Sequence, residues 1–329
     1  MGERGLLDLI ISRLPGLRSK DRVKLCEKFD SEDDFVKLAK SDIEIILGRA
    51  LKHFWDIEAI RAMAEQDVKV CRMRSICWVS WRQAAYPPMM REIYDPPAII
   101  FFRGQFPAAD KPLLGMVGTR RPSPQAASQA YALAEDLGRF GVSVISGLAL
   151  GIDAASHKGN LDGGAATFAV LGSGVDEVYP SSNRFLAKRI LDNGGAILSE
   201  YPPGVIPQKW NFPARNRLIS AMARSVLIVE APGRSGALIT ADMALDQGKD
   251  LWVASSGACT KENAFFDRQG TIKLAQDGAE IIYSAAGVLE KWGMGAVFNV
   301  TRSSEAAPLG NTYGRALAAS LAKSLDIDL

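Results

Sequence analysis

The stretch Val142-Ser143-Val144-Ile145-Ser146-Gly147-Leu148-Ala149-Leu150-Gly151-Ile152-Asp153 decides the fold. Val142 to Ile145 is a short apolar, β-branched run of the kind buried on both faces of a sheet. It stops at Ser146-Gly147, and Gly151-Ile152-Asp153 opens a segment that reads as helix. A buried strand, a glycine turn and a helix N-terminus bring several backbone N–H groups to one concave spot. The helix dipole makes that spot attractive to anions, phosphate above all.

Outward from this unit the same rhythm repeats. On the N-terminal side, Leu113 to Val117 reads as a strand closed by Gly118-Thr119-Arg120-Arg121, and Gln125 to Phe140 as an alanine-rich helix. On the C-terminal side a helix near Ile152 to Asn160 leads to a strand at Thr167 to Leu171, ending in Gly172-Ser173-Gly174. A helix at Asn183 to Asn193 and a strand at Ala196 to Leu198, ending at Ser199-Glu200, come next. Arg215 to Met222 is helical, Ser225 to Val229 is a strand ending at Glu230, and Ala237 to Gln247 is helical. Leu251 to Ala254 is the last clear strand. Strands alternating with helices in units of this length predict an α/β fold, a doubly wound parallel sheet with helices on both faces. Ligands of such sheets sit at the carboxyl ends of the strands, where the strand order reverses. Nearly every polar or glycine-rich stretch falls at one of those ends.

Ahead of this domain, residues 1–66 read as a small all-helical domain. Apolar residues recur at helical spacing in Leu6, Leu7, Ile10, Ile11 and Leu14 and again in Val23, Leu25 and Phe29. Leu14-Pro15-Gly16-Leu17 between them is a turn of the helix-hairpin-helix kind: its amides either hold a DNA phosphate or the turn merely joins two helices. Ser41 with Glu44 reads as a capping box, His53 to Glu65 as a further helix, and His53 as a packed core residue. Val68, Val70, Cys71, Ile76 and Val79 suggest short strands, followed by a strand at Ile99 to Phe102. The main domain is expected over residues 67–284. Residues 285–329 read as linker and tail, with one terminal helix at Leu317 to Leu325.

At 329 residues, 47% hydrophobic and 23% charged, the composition is that of a globular protein with a sizeable core. A net charge of +2 gives no overall basic field, so any nucleic-acid site must concentrate its cations locally. Four cysteines without C-x-x-C pairing argue against zinc and fit a reducing, cytoplasmic address, and no run approaches the ~18 apolar residues of a membrane span. Two histidines leave little for histidine-based nucleophilic catalysis, and His157 reads as a helix-packing residue.

The loops are equipped for phosphate and bases. Gly118-Thr119-Arg120 combines an amide cradle, a hydroxyl and a guanidinium. Lys209-Trp210-Asn211-Phe212-Pro213-Ala214-Arg215-Asn216-Arg217 sets two aromatics among three cations, which is what a single-stranded nucleic-acid site needs. The alternative is a basic helix start with Trp210 and Phe212 buried under it. Ser235-Gly236 opens a further helix and reads as another phosphate cradle. Glu200 and Glu230 stand at strand ends as general acid/base candidates, and pairing with Arg215 and Arg217 is the favoured reading of both. The dinucleotide fingerprint G-x-G-x-x-G and the P-loop are both missing.

Ser146 to Asp153 with His157, Tyr179-Pro180, Leu198-Ser199-Glu200-Tyr201, Phe212-Pro213-Ala214-Arg215-Asn216-Arg217, Val229-Glu230-Ala231 and Ser235 to Thr240 together resemble the DNA-processing protein A (DprA/Smf) family. Tyr86-Pro87 and Asp95-Pro96-Pro97 match its run-in, so the resemblance covers residues 82 to about 283 in order. It implies an extended Rossmann fold, a homodimer, no catalytic residue, no cofactor and no metal. It further implies single-stranded DNA as ligand and loading of the RecA recombinase during natural transformation. The helical unit fits the sterile-alpha-motif-like or hairpin domain many members carry. The DNA site implied by motif position is Gly118, Thr119, Arg120, Ser146, Gly147, Lys209, Phe212, Arg215 and Arg217, to which the loop chemistry adds Gly151, Asn216, Ser235 and Gly236. Ser256-Gly257 stands where the family usually has Pro-Gly, and the tail is short for a winged-helix domain. The competing reading is a nucleoside-monophosphate phosphoribohydrolase, whose P-G-G-x-G-T-x-x-E loop Ala231 to Gly236 resembles; Thr240 stands at the place of its catalytic glutamate, which leaves Asp242 as the base. A sensor of a small nucleotide is a third.

Overall fold

The computed structural model describes residues 4–53, 55–108, 111–259 and 266–294, and opens on five helices. These are α1 (Arg4–Arg13), α2 (Ser19–Lys28), α3 (Glu32–Val36), α4 (Lys40–Leu47) and α5 (Ile57–Met73). Leu7, Ile10, Ile11 and Leu14 are buried with Leu25, Phe35, Ile43 and Ile60, as the apolar spacing predicts. Three expectations in this region change. The α4 cap is Ala39, whose N–H donates to Asp42 Oδ2 at 2.8 Å, while Glu44 accepts from the Leu51 N–H at 2.7 Å. His53 is exposed and lies over Gly16 instead of in the core. Val68, Val70 and Cys71 are helical, because Ile60, Ala64, Asp67 and Cys71 bury one face at a 3.6-residue period and this outweighs their strand-like composition. Helix α5 therefore runs straight through the boundary expected at 66/67.

The hairpin turn is tied internally. Pro15 O accepts from Trp55 Nε1 at 3.3 Å, Gly16 O from Arg49 at 3.2 Å, and Leu14 O and Leu17 O from Arg22 at 2.9 and 2.6 Å. At the start of α2 the Asp21 carboxylate accepts from the Arg18 N–H at 3.1 Å and pairs with Arg49 at 2.5 Å. A phosphate held at this turn would meet that charge. Burial pushes Asp21 up, but the hydrogen bonds from Arg18 and Arg49 more than offset it and hold the carboxyl at about 2. A depressed folded value stabilises above the unfolded value of about 3.9 and is lost as pH falls through the folded one. Thermal melts should therefore show the Asp21→Asn variant losing less stability than wild type between pH about 4 and about 2; parallel curves would refute the assignment.

Strand β1 (Cys77–Ser80), helix α6 (Pro88–Arg91) and strand β2 (Ile99–Gly104) lead into the main domain. There follow β3 (Leu113–Val117), α7 (Pro124–Arg139), β4 (Ser143–Ser146), α8 (Ile152–Asp162) and β5 (Phe168–Val170). Next come α9 (Arg184–Asp192), β6 (Ala196–Ser199), α10 (Asn211–Met222), β7 (Ser225–Ile228) and α11 (Gly236–Asp246). The described chain closes with β8 (Asp250–Ala254), α12 (Ser255–Ala258), α13 (Gln269–Gln276), β9 (Glu280–Ile282) and α14 (Ala285–Lys291). The nine strands form one sheet in the order β1-β2-β6-β5-β4-β3-β7-β8-β9. Strands β6 through β9 of that order are parallel, and β1 and β2 are antiparallel additions at one edge.

Alternation along the strands builds two apolar layers. Leu114 and Met116 face α7 with Val144, Leu227 and Trp252, while Val117, Phe168, Val226 and Ile228 face α10 and α11. A sheet covered on both sides is the extended Rossmann architecture. Ile99 and Phe101 of β2 share one apolar cluster with the N-terminal helices, so that unit packs directly on the sheet edge. Helix α14 belongs to the sheet layer as well: Val288, Leu289 and Trp292 are buried, and Trp292 Nε1 donates to Ser225 Oγ at 2.8 Å. The linker reading from residue 285 thus fails for 285–294. The terminal helix expected at 317–325 lies outside the described residues.

Strand order reverses between β3 and β7: from β3 the chain winds outward through β4, β5 and β6, then returns to β7 beside β3. That is the switch point, and it directs attention to the carboxyl ends of β3, β4, β5 and β7.

Candidate functional site

The loop after β3 is clamped from two sides. The Thr119 N–H donates to Glu230 O at 2.8 Å, and Thr119 O accepts from the Ile152 N–H at 3.2 Å. A Cβ on Gly118 would lie 2.6 Å from Ile152 Cγ1 and 2.9 Å from Glu230 O, so only glycine fits. Gly151, at φ +77°, likewise leaves no room for a side chain against the carbonyls of Thr119 and Arg120. This rigid seat leaves the Arg120 side chain exposed. Its guanidinium carbon lies 5.4 Å from the centroid of the Phe212 ring. Phe212 also meets the Tyr179 ring, at 5.6 Å between centroids with an interplanar angle of 37°.

Phe212 is fixed by the start of α10, which begins four residues earlier than the sequence suggests. Pro213 falls in the first helical turn, where its missing N–H costs nothing, so it does not delimit the helix. Asn211 Nδ2 donates to Gly172 O at 2.9 Å and anchors this end to the loop after β5. Lys209 and Trp210 are exposed just ahead of it, Trp210 at 71%. The buried-aromatic alternative thus fails for Trp210, while Phe212 is half-buried. Arg120, Arg121, Lys209 and Arg234 are all exposed. Tyr179, 45% exposed, joins the site without having been expected there: it lies 33 residues before Phe212, and only the fold brings the two rings together.

The remaining expected site residues fall into the interior. Ser146 Oγ donates to Met116 O at 2.6 Å and is fully buried. The N–H groups of Gly147 and Ala149 donate to Asp153 Oδ2 at 3.1 and 3.2 Å, so the amide cradle of the opening stretch is already filled by the protein's own carboxylate. The Arg215 guanidinium lies over Gly147, donates to Val170 O, and is 4% exposed. Burial lowers Arg215 to about 10 despite the charge of Asp153, and burial likewise raises Asp153 against the pull of Arg215 and the two N–H groups. Arg217 pairs with Glu200, approaches Asp95 at 3.6 Å and donates to Ser19 Oγ at 3.0 Å. Ser146, Arg215 and Arg217 are therefore buried internal ties rather than surface groups, although the Nε atoms of both arginines have no hydrogen-bond partner among the described residues.

The rest of the loop chemistry is mixed. Asn216 Nδ2 donates to Gly236 O at 3.2 Å, and Ser235 Oγ caps α11 by accepting from the Ala237 N–H at 3.1 Å; Gly236 itself is exposed. Glu200 pairs with Arg217 as expected. Glu230 does not pair with Arg215: its carboxylate accepts from the Ser123 N–H at 2.7 Å and Ser123 Oγ at 2.5 Å, with Arg268 3.9 Å away. His157 is buried with Nδ1 2.8 Å from Thr167 Oγ1, and burial followed by the nearby Arg215 charge lowers it to about 3. It is neutral at physiological pH, in keeping with packing. No described helix is long and apolar enough to cross a membrane.

Residues 78–293 match the family model described as DNA recombination-mediator protein A. The chain is 31% identical to Protein Smf of Borreliella burgdorferi over 83% of its own length and 84% of that protein, and 34% identical to DNA processing protein DprA of Bacillus subtilis over 75% and 80%. Its fold matches DNA processing protein A of Streptococcus pneumoniae with a TM-score of 0.67 at 31% identity, covering 88% of this chain and 98% of that one. It also matches DNA processing protein A of Helicobacter pylori, a protein described for its single-stranded DNA binding mode, with a TM-score of 0.57 at 28% identity over 65% and 95% of the two chains. With the seat at the switch point and these matches across the sheet, the chain belongs to the DNA recombination-mediator protein A family.

Proposed function

We propose that this chain binds single-stranded DNA along the carboxyl edge of the sheet, shields it, and loads the RecA recombinase on it. The observation that carries the reading is the exposed Arg120 guanidinium 5.4 Å from the Phe212 ring, with Tyr179 against the same ring. A single strand offers both an anionic backbone and unstacked bases. A cation beside a pair of aromatic rings, with Lys209 and Trp210 exposed next to them, suits both at once. Duplex DNA hides its base faces and uses only the cations. Gly118, Thr119, Arg120, Lys209 and Phe212 would be the contacts, with Gly236 and Arg234 at the flank. The RecA step is supported by family membership.

A non-enzymatic role is supported by where the carboxylates lie: Glu200 and Glu230 are engaged by Arg217 and Ser123, and the Thr240 hydroxyl lies 3.3 Å from Gly236 O. A homodimer is supported by the open edge of β9, where Ile281 and Tyr283 are exposed among the described residues. Labelled oligonucleotides titrated across a salt series test the reading. Single strands should bind more tightly than duplex at every salt concentration, with a log–log slope of about −0.7 per phosphate neutralised. Equal affinity for both would sink it and direct attention to a small nucleotide.

A further inference from the structure

Beside the Glu177–Tyr179 loop lies a cleft of about 810 Å³ that the contacts above do not use. Four cations reach it from three separate elements: Arg74 after α5, Arg103 on β2, and Arg184 and Lys188 one turn apart on α9. Val178, Ala187 and Leu191 give it an apolar floor, Ala187 and Leu191 forming a second one-turn row on α9. Three acids share the rim. Asp176 accepts from the Gly204 N–H with both oxygens at 3.0 Å, Glu177 lies 3.4 Å from Arg184, and Asp192 pairs with Lys188 at 2.5 Å. The latter two pairs are open to solvent, so each is weak and exchanges readily for a competing anion. Arg103 has no ion-pair partner among the described residues.

We propose that this cleft is a second subsite for the same strand, taking the phosphates and bases that run past Tyr179 away from Phe212. The inference rests on the single-strand reading above. Continuity carries it: Glu177 and Val178 line the cleft, and the next residue, Tyr179, packs on Phe212 in the first site. A phosphodiester strand leaving the ring pair over that loop passes onto Arg184, with Lys188 one turn further on α9, Arg74 tied to the same loop by its 3.0 Å hydrogen bond to Asp176 O, and Arg103 reaching the cleft from β2. Apolar floor and cationic rim match the base and backbone of an unpaired strand.

The test compares fluorescent oligothymidines of about five and about twenty nucleotides, a short probe confined to the first site and a long one that reaches both. Arg103→Glu and the double variant Arg184→Ala/Lys188→Ala should each weaken the long probe roughly tenfold and leave the short probe within about twofold of wild type. The salt slope of the long probe should fall by about 0.7 for each phosphate left without its cation. The short probe reports on folding and on the first site. Unchanged binding of the long probe overturns the subsite, and so does equal weakening of both probes. Failure of both probes to bind the wild-type protein overturns the single-strand reading itself.

Discussion

Phe212→Ala is expected to weaken single-strand binding roughly 5- to 150-fold, because an aromatic stacking platform contributes about 1–3 kcal/mol per base and each 1.4 kcal/mol is tenfold. The ring holds Arg120 on one side and Tyr179 on another, so its removal takes away the surface on which a base would rest and frees both neighbours. The charges stay. Stacking releases no counterions, and the slope of log affinity against log salt should therefore remain that of wild type. Arg120→Ala provides the contrast: a loss that is largest at low salt and shrinks as salt rises, with the slope reduced by about 0.7 for the one phosphate it would neutralise. Anisotropy titrations at several salt concentrations separate the two. Wild-type affinity in Phe212→Ala, or a slope change as large as that of Arg120→Ala, would mean that the ring is only a packing residue.

Asp153→Ala should destabilise the fold by about 3–5 kcal/mol. Its carboxylate accepts from the N–H groups of Gly147 and Ala149 and is the counter-charge of Arg215, which is buried beside it. Removing one partner of a buried pair leaves the other charge uncompensated, and two backbone donors lose their acceptor as well. Asp153→Asn is milder, since an amide oxygen still accepts from the turn while the charge is lost. Urea denaturation should show the midpoint falling in the order wild type, Asn, Ala at unchanged m-value. A midpoint for Asp153→Ala within error of wild type would show that Arg215 is held by Val170 O alone.

Both expectations trace to how the exposed groups at this edge of the sheet are held in place. Backbone hydrogen bonds fix the loop after β3 and internal polar ties those after β4 and β5, leaving Arg120, Lys209 and Trp210 exposed. Arg215 and Arg217 immobilise α10 from below, so that Phe212 and Lys209 at its start present a set surface. Preorganised aromatics lose little entropy when a base stacks on them.

Much of this was legible in the residues. The apolar runs at Leu113, Val142, Thr167, Ala196, Ser225 and Leu251 marked the strands, since burial on both faces demands unbroken hydrophobic composition. Glycine turns at their ends marked the carboxyl edge, and of the aromatic-basic segment from Lys209 to Arg217 the structure exposes Lys209 and Trp210 and buries Arg215 and Arg217. Periodicity failed where composition and period disagreed, as in α5, where a strand was as short as β9, at the start of α10 and for α14, which reads as linker.

What the sequence by itself determined is therefore the sheet, its order of winding elements and the family. Which cation faces the solvent was decided by tertiary structure alone. Arg120, Arg215 and Arg217 are alike on paper, but one is exposed and two are buried, because Asp153, Glu200 and Asp95 come to them from distant parts of the chain. A buried charge is stable only beside the counter-charge the fold holds next to it, and an anion-binding turn closes on an internal carboxylate when one is held within hydrogen-bonding distance. Those distances exist only once the chain is folded.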